Sequence, residues 1–155
     1  MKIKLSEILI GLEFRNSSNG AYLDIKSGEV VLLSEDDISG AQDDKDIQNY
    51  PEWEHKNIAI AKEIFLGESK DYLSLPDDFD IDEYHMMQQF IGTVSDDNIA
   101  QTLSISIKGS GAFRRFKEHL YQYEIQDKWF AYRDNEYKQI AIKWCRDNDI
   151  EYTED

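Results

Sequence analysis

This chain of 155 residues is short of cysteine, of basic side chains and of long apolar runs. Its single cysteine, Cys145, excludes an internal disulfide and suits a reducing compartment, so we expect a cytoplasmic protein. No run of about 18 apolar residues exists, which argues against a membrane-spanning helix. The stretch from Met1 to Glu7 has no apolar segment of the length that a signal peptide needs, so none is expected.

Motifs of the common catalytic and cofactor sites are also missing. Neither G-x-x-x-x-G-K-[ST] nor G-x-G-x-x-G occurs, because Arg114 stands where the third glycine of the second pattern would be. The sequence has no Cys-x-x-Cys or His-x-x-x-His spacing for zinc, and Ser110 lacks the G-x-S-x-G context of a serine hydrolase. We therefore predict no catalytic residue, metal or cofactor, and favour a protein that is not an enzyme.

What the chain has in excess is negative charge. Asp and Glu number 32 against 17 Lys and Arg, a formal net charge of -15. This field repels nucleic acids and anionic membranes, so we expect neither as a direct partner. The acidity keeps a small protein soluble, and it would also suit a mimic of nucleic acid that occupies the groove of a basic partner. Because 41% of the residues are hydrophobic, we predict one folded domain over residues 1–155.

A small antiparallel sheet is predicted in the first half. Tyr22–Ile25 and Val30–Leu33 are β-rich runs around a short turn, which indicates a hairpin with Gly28 at positive φ. Tyr72–Leu75 precedes a proline and is predicted to be a third strand beside the hairpin. Residues 35–54 carry eight acidic side chains and one lysine, and are predicted to be a solvated connector.

Apolar residues spaced by three and four predict helices through the rest of the chain. The segment 99–107 also alternates like a strand, but we favour a helix there. The predicted helices cover about 5–12, 51–65, 82–94, 99–107, 111–123 and 137–145. Together with the sheet they predict an α+β fold, with a small antiparallel sheet packed by a helical majority.

The segment 109–117 is a basic and aromatic patch in an acidic chain. Two glycines permit unusual backbone angles, and Ser110 is expected to cap the helix that begins at Gly111. Unpaired N–H groups at a helix start attract anions. A phosphate- or nucleotide-handling enzyme that uses this helix start is therefore an alternative hypothesis.

The cations of this segment have two interpretations. At 100° per residue Arg115 points away from the apolar stripe that includes Phe113 and Phe116, so it is expected to face solvent and an external anion. Arg114 and Lys117 flank the stripe and are expected to pair with acidic neighbours. The segment is thus either an internal electrostatic staple or a site for an anionic ligand or partner.

A second dense stretch is residues 129–134, with aromatic rings just before the predicted last helix. If exposed, Trp129 could stack on a ligand, and Arg133 could add a cation–π contact. If buried, the rings are core anchors that join two helices, and Asp134 lies at or near the cap of the last helix.

From these residues we predict a binding or regulatory module that engages an anionic ligand or a partner protein through helix 111–123. The predicted binding residues are Ser110, Gly111, Arg114, Arg115, Lys117, Trp129 and Arg133. The oligomeric state is not predicted, although an exposed sheet edge could recruit a second copy.

Several stretches occur together in an order that resembles a known family. They are the hairpin 22–31, the strand 72–76, the helix 111–117 and the aromatic run 129–134. The chain resembles uncharacterised protein family 0158, a family of small bacterial proteins. The resemblance implies a bacterial, cytosolic protein, and it carries over no activity, substrate or site residue.

Overall fold

The computed structural model describes residues 2–15, 19–43, 47–67, 70–77 and 81–154. The chain divides into two compact units, a first unit of residues 1–80 with 140–155 and a second unit of residues 81–139. Helices dominate the described residues, with a three-stranded antiparallel sheet and a short parallel pair, which confirms the α+β class. The single domain remains a prediction.

Short strands and helices are interspersed up to Ser74. Among the described residues four helices follow, and a short strand comes after the last of them. The strands are β1 (Ile3–Lys4), β2 (Gly20–Asp24), β3 (Val30–Leu33), β4 (Tyr72–Ser74) and β5 (Tyr152–Thr153). The helices are α1 (Leu5–Phe14), α2 (Glu35–Gln42), α3 (His55–Phe65), α4 (Glu83–Ile91), α5 (Asp97–Ser106), α6 (Ala112–Gln122) and α7 (Gln126–Asp147). Short 3₁₀ helices cover Ile47–Asn49 and Glu52–Glu54. None of the helices in the described part of the chain combines the length and the apolar character that crossing a bilayer requires.

The antiparallel sheet of the first unit has the strand order β3-β2-β4. Both the hairpin and the third strand beside it are confirmed, and Gly28 has φ 76° in the turn. Positive φ there favours glycine, which has no Cβ to clash with the backbone. Ala21 and Leu23 point to the same face of β2, and both are buried.

The parallel pair of β1 and β5 was not predicted. Ile3 lies opposite Tyr152, and Lys4 lies opposite Thr153. Strands of two residues are too short to produce an alternating pattern, so the sequence offers no signal for them. This pairing brings the two ends of the described chain together.

The predicted acidic connector is wrong over its first part, because Glu35–Gln42 is helix α2. Ser34 and Asp37 form a capping box in which each side chain accepts the other's backbone N–H. Ala41 of α2 packs in a buried cluster with Leu33 and Ala61. Three acidic residues in the first turn of α2 favour a helix start, where they meet the positive end of the helix dipole. Residues 44–46 of the connector lie outside the described part.

The core of the second unit is aromatic. Phe116 and Trp129 meet edge to face with ring centroids 5.0 Å apart, and Phe90 lies 5.5 Å from Trp129. Such pairs contribute about 0.5–1.5 kcal/mol beyond their burial. The helical interpretation of 99–107 is confirmed by α5, whose cap Asp96 accepts two backbone N–H groups.

Helix α7 begins much earlier than predicted, at Gln126. The aromatic run 129–134 therefore lies inside the helix, and Asp134 does not cap it. Trp129 is buried, so its ring is a core anchor and not an exposed stacking platform.

Candidate functional site

The side chain of Arg115 folds back onto the end of helix α5. Its Nε donates to the carbonyl oxygen of Ser106 at 2.9 Å, its Nη2 to that of Lys108 at 2.6 Å, and its Nη1 to that of Ser110 at 2.6 Å. The last carbonyls of a helix have no partner within the helix, so they are acceptors in need of donors. The planar fork of a guanidinium satisfies several at once. We call this arrangement the Arg115 knot.

Backbone geometry around the turn makes the Arg115 knot possible. Gly109 and Gly111 have φ of 76° and 79°, the left-handed region that glycine adopts readily. A Cβ built on Gly111 would lie 2.9 Å from Nη1 of Arg115. The second glycine is therefore needed both for its backbone angle and for the space that it leaves for the guanidinium.

Two expectations for this segment are corrected. Arg115 does not project into solvent toward an outside anion, because all three donor nitrogens bond backbone carbonyls of its own chain. Ser110 does not cap α6, since the N-cap residue is Gly111 and no side chain caps it. The acceptors of Arg115 are backbone carbonyls of its own chain, and not the carboxylates that an electrostatic staple was expected to use.

The other two cations of α6 are exposed. Arg114 lies 3.9 Å from Glu118, and both side chains are largely exposed, so the pair contributes little to stability. Lys117 is exposed and makes no ion pair with any residue that the structure describes. Of the cations predicted in this segment, Lys117 is the one whose charge is left available.

A cleft in the second unit, which we call the α6–α7 cleft, brings three of the predicted residues together. It has a volume of about 130 Å³. Lys117, Trp129 and Arg133 line it, whereas Ser110, Gly111, Arg114 and Arg115 do not. The remaining lining residues are Glu83, Met87, Phe113, Phe116 and Phe130.

One side of the cleft is fixed by an ion pair between α4 and α7. Nη2 and Nε of Arg133 donate to Oε1 of Glu83 at 2.6 and 3.0 Å. The hydroxyl of Tyr137 also donates to Oε1 of Glu83, and the guanidinium carbon of Arg133 lies 4.2 Å from the centre of the Tyr137 ring. Because both charged side chains are largely buried, removing one partner would leave the other poorly solvated. Arg133 is thus a structural part of the cleft wall.

Two aromatic side chains at the cleft were not predicted as site residues. Phe113 is 46% exposed and Phe130 is 42% exposed, although both line the cleft. The sequence placed Phe113 on the buried stripe with Phe116. Phe113 is the second residue of α6, so no full helical turn precedes it. A helical side chain lies over the turn before its own Cα, and the ring of Phe113 therefore stays partly exposed. Phe130 lies about 100° around α7 from the buried Trp129, a separation that would have marked it as peripheral had the helix start been known.

The only cysteine is unsuited to nucleophilic chemistry. Cys145 is fully buried in the first unit, and burial raises the pKa of its thiol to about 11. A thiol with that pKa holds almost no thiolate at neutral pH. Its buried position makes this side chain part of the core of the first unit.

Comparisons with known proteins give a family and no activity. The Pseudomonas aeruginosa protein named UPF0158 protein PA5073 is 24% identical over 152 residues, which cover 97% of this chain and 86% of the relative. No solved structure matches the chain. The model of the uncharacterised protein family UPF0158 matches residues 1–155, so the resemblance is confirmed and the chain belongs to that uncharacterised family.

Proposed function

We propose that this protein is a non-enzymatic binding module whose α6–α7 cleft takes up one apolar side chain from an acidic segment of a partner protein. The observation that carries the proposal is the pair of exposed rings, Phe113 and Phe130, beside the cation of Lys117 at one small cleft. A cytoplasmic location belongs to the same proposal, since the chain has no disulfide to protect.

The size of the cleft favours a side chain as its occupant. Pockets for small ligands and cofactors have volumes of about 300–1,000 Å³. The α6–α7 cleft has about 130 Å³, which leaves room for one leucine- or phenylalanine-sized group and not for a nucleotide. Small pockets that accept one anchoring side chain are common at the centres of protein interfaces.

The lining residues define the chemistry of the anchor and of its neighbours. Phe116 and Trp129 form an apolar floor because both are buried, so the anchor is apolar. Phe113 and Phe130 would lose their remaining exposed surface when the partner docks, and aromatic residues dominate the binding energy of many interfaces. Lys117 stands at the rim, where a carboxylate next to the anchor would pair with it.

The distribution of charge supports an acidic partner segment at this unit. Residues 81–139 contain seven Lys and Arg against nine Asp and Glu, a net charge of -2. The other residues therefore carry -13 of the total of -15. An acidic segment meets little repulsion from the charges of the second unit itself.

The test begins with a display library of random peptides selected against the full chain. We expect the enriched peptides to place Asp or Glu beside Leu, Phe or Trp. A synthetic copy of one such peptide is then titrated against the protein by fluorescence anisotropy. Phe113→Ala should weaken its binding about tenfold, the scale of about 1.4 kcal/mol for a central interface residue.

Lys117→Glu should weaken binding by a similar factor, and Lys128→Glu is its matched control. Lys128 is also an exposed lysine of the second unit, and it does not line the cleft. Both variants change the net charge equally, so a difference between them reports position and not total charge. Equal binding by the wild type, Phe113→Ala and Lys117→Glu would refute the proposal, and so would a library that yields no acidic peptide.

A further inference from the structure

The outer edge of β3, in the first unit, has unpaired backbone groups. The N–H of Asp24 donates to the carbonyl of Glu29 at 2.9 Å, which fixes the phase of the β2–β3 ladder. Antiparallel partners alternate between bonded and non-bonded pairs, so Val31 is the next bonded residue on β3. The N–H and C=O groups of Val30 and Leu32 therefore point away from β2, and no residue in the described ranges bonds them.

The opposite edge of the same sheet is bonded at one outward group. On β4 the residues bonded to β2 are odd-numbered, as the bonds from Ile25 to Asp71 and from Leu75 to Ala21 show. Ser74 therefore presents its carbonyl outward, where Nε1 of Trp144 donates to it at 3.2 Å. An indole thus bonds one group of the β4 edge, whereas no described residue bonds the outward groups of β3.

A groove of about 490 Å³ lies between α3 and the face of the sheet, and its lining runs from β3 through Asp24 of β2 to Tyr72 of β4. Val30, Val31 and Leu32 line one side, and Ala59 and Ile60 line the other. Three carboxylates also line the groove, against one described cation, Lys56. They belong to Asp24, Glu29 and Glu63. Apolar walls and excess negative charge thus lie over the face of the sheet, next to the open β3 edge.

We propose that the β3 edge binds an extended basic segment of a partner protein as an additional β-strand. Backbone hydrogen bonds to Val30 and Leu32 would supply the pairing, as in other proteins that bind peptides by strand addition. Lysine or arginine on the segment would meet Glu29, which precedes β3, and the other carboxylates of the groove would add to the attraction. This site lies in the first unit and takes a basic partner, whereas the α6–α7 cleft takes an acidic one. Either proposal can therefore fail without affecting the other.

Charge decides between a basic partner and a second copy of this chain. The first unit contains 10 Lys and Arg against 23 Asp and Glu, a net charge of -13. Pairing two β3 edges would bring together two units that each carry -13, and the repulsion between them opposes that arrangement. A basic strand meets attraction at the same places.

The direct test is amide hydrogen exchange, followed by NMR on the full chain. The probe is a blocked hexapeptide, Lys-Val-Lys-Thr-Lys-Val, and the control peptide has glutamate in place of each lysine. At saturation the basic peptide should slow exchange at Val30 and Leu32 by about tenfold or more. Val31 is the internal reference, because its N–H already bonds β2.

A double variant tests the role of charge in this binding. Glu29→Lys with Glu63→Lys should weaken the affinity for the basic peptide about tenfold or more. Glu151→Lys with Glu7→Lys makes the same change in net charge at two exposed positions outside the groove, and should retain most of the affinity. Absence of protection at Val30 and Leu32, equal protection by the acidic peptide, or protection that appears with protein concentration alone would overturn the proposal.

Discussion

Replacing Arg115 should destabilise the second unit more than replacing Arg114 or Lys117, the other two cations of α6. Arg115→Ala removes three donors from the carbonyls of Ser106, Lys108 and Ser110. Ser106 is buried, so its carbonyl would lose a charged donor without gaining water, a cost of about 1–3 kcal/mol. The other two carbonyls belong to exposed residues that water can reach, and each should cost about 0.5–1 kcal/mol. The expected loss is about 2–5 kcal/mol.

Urea unfolding followed by the fluorescence of Trp129 measures this loss. Trp129 is 2% exposed and lies in the core of the second unit, so its emission reports that unit. A background with Trp53→Phe and Trp144→Phe removes the other two indoles. With a slope of about 2 kcal/mol per molar urea, the midpoint of Arg115→Ala should fall by about 1–2.5 M.

Two matched variants separate the hydrogen bonds from the charge. Arg114→Ala removes the same charge from the neighbouring position, where the exposed ion pair with Glu118 is 3.9 Å long, and should cost less than about 0.5 kcal/mol. Arg115→Lys keeps the charge but not the planar fork, so it should recover only part of the loss. If Arg115→Ala is no more destabilising than Arg114→Ala, the Arg115 knot does not stabilise this unit and the reasoning fails.

Two further predictions use the same unfolding assay, and a third, on Cys145 of the first unit, uses urea unfolding followed by far-UV circular dichroism. Gly111→Ala should cost more than Gly109→Ala, because both need positive φ but only the Cβ at Gly111 meets Arg115, at 2.9 Å. Glu83→Gln should cost about 1–3 kcal/mol, because it leaves the guanidinium of Arg133 largely buried beside a neutral group. Burial raises the pKa of Cys145 to about 11 from 9.0, so the folded state holds this proton more tightly. The contribution of the buried neutral thiol to the free energy of unfolding is complete below pH 9 and is lost as pH rises from about 9 to 11. A variant without the thiol should therefore show a smaller fall in the free energy of unfolding over that window.

The sequence predicted those elements whose signal is local. The hairpin has β-rich runs around a glycine turn, and α6 has an apolar stripe, so both could be placed. Helix α2 was missed because the acidic residues of 35–54 obscure a short apolar stripe, of which Ile38 and Ala41 are the visible part. The parallel pair of β1 and β5 joins residues about 150 positions apart, and no local pattern encodes such a contact.

The candidate site was predicted only in part, because a sequence shows side chains but not the backbone groups that they contact. A helical wheel correctly separates Phe116 from Arg115, but it treats everything opposite the apolar stripe as solvent. Here the chain that precedes α6 turns back over that face, and its carbonyls meet Arg115. Backbone acceptors have no residue identity, so a sequence cannot mark them as partners. Lys117 and Trp129 were named from their side-chain types alone, and both line the α6–α7 cleft.

The unequal charge of the two units also predicts how the two proposed surfaces respond to salt. The first unit carries -13, so attraction should dominate the binding of the basic hexapeptide at the β3 edge. Raising the ionic strength from about 0.1 to 1 M shortens the Debye length from about 10 to 3 Å, and this binding should weaken about tenfold or more. At the α6–α7 cleft salt screens both the attraction to Lys117 and the repulsion from a protein of net charge -15, so the affinity for an acidic peptide should change less than about threefold. Isothermal titration calorimetry of each peptide at the two salt concentrations measures both changes in affinity. A parallel loss of both affinities would mean that local contacts, and not the division of charge between the units, determine which partner each surface accepts.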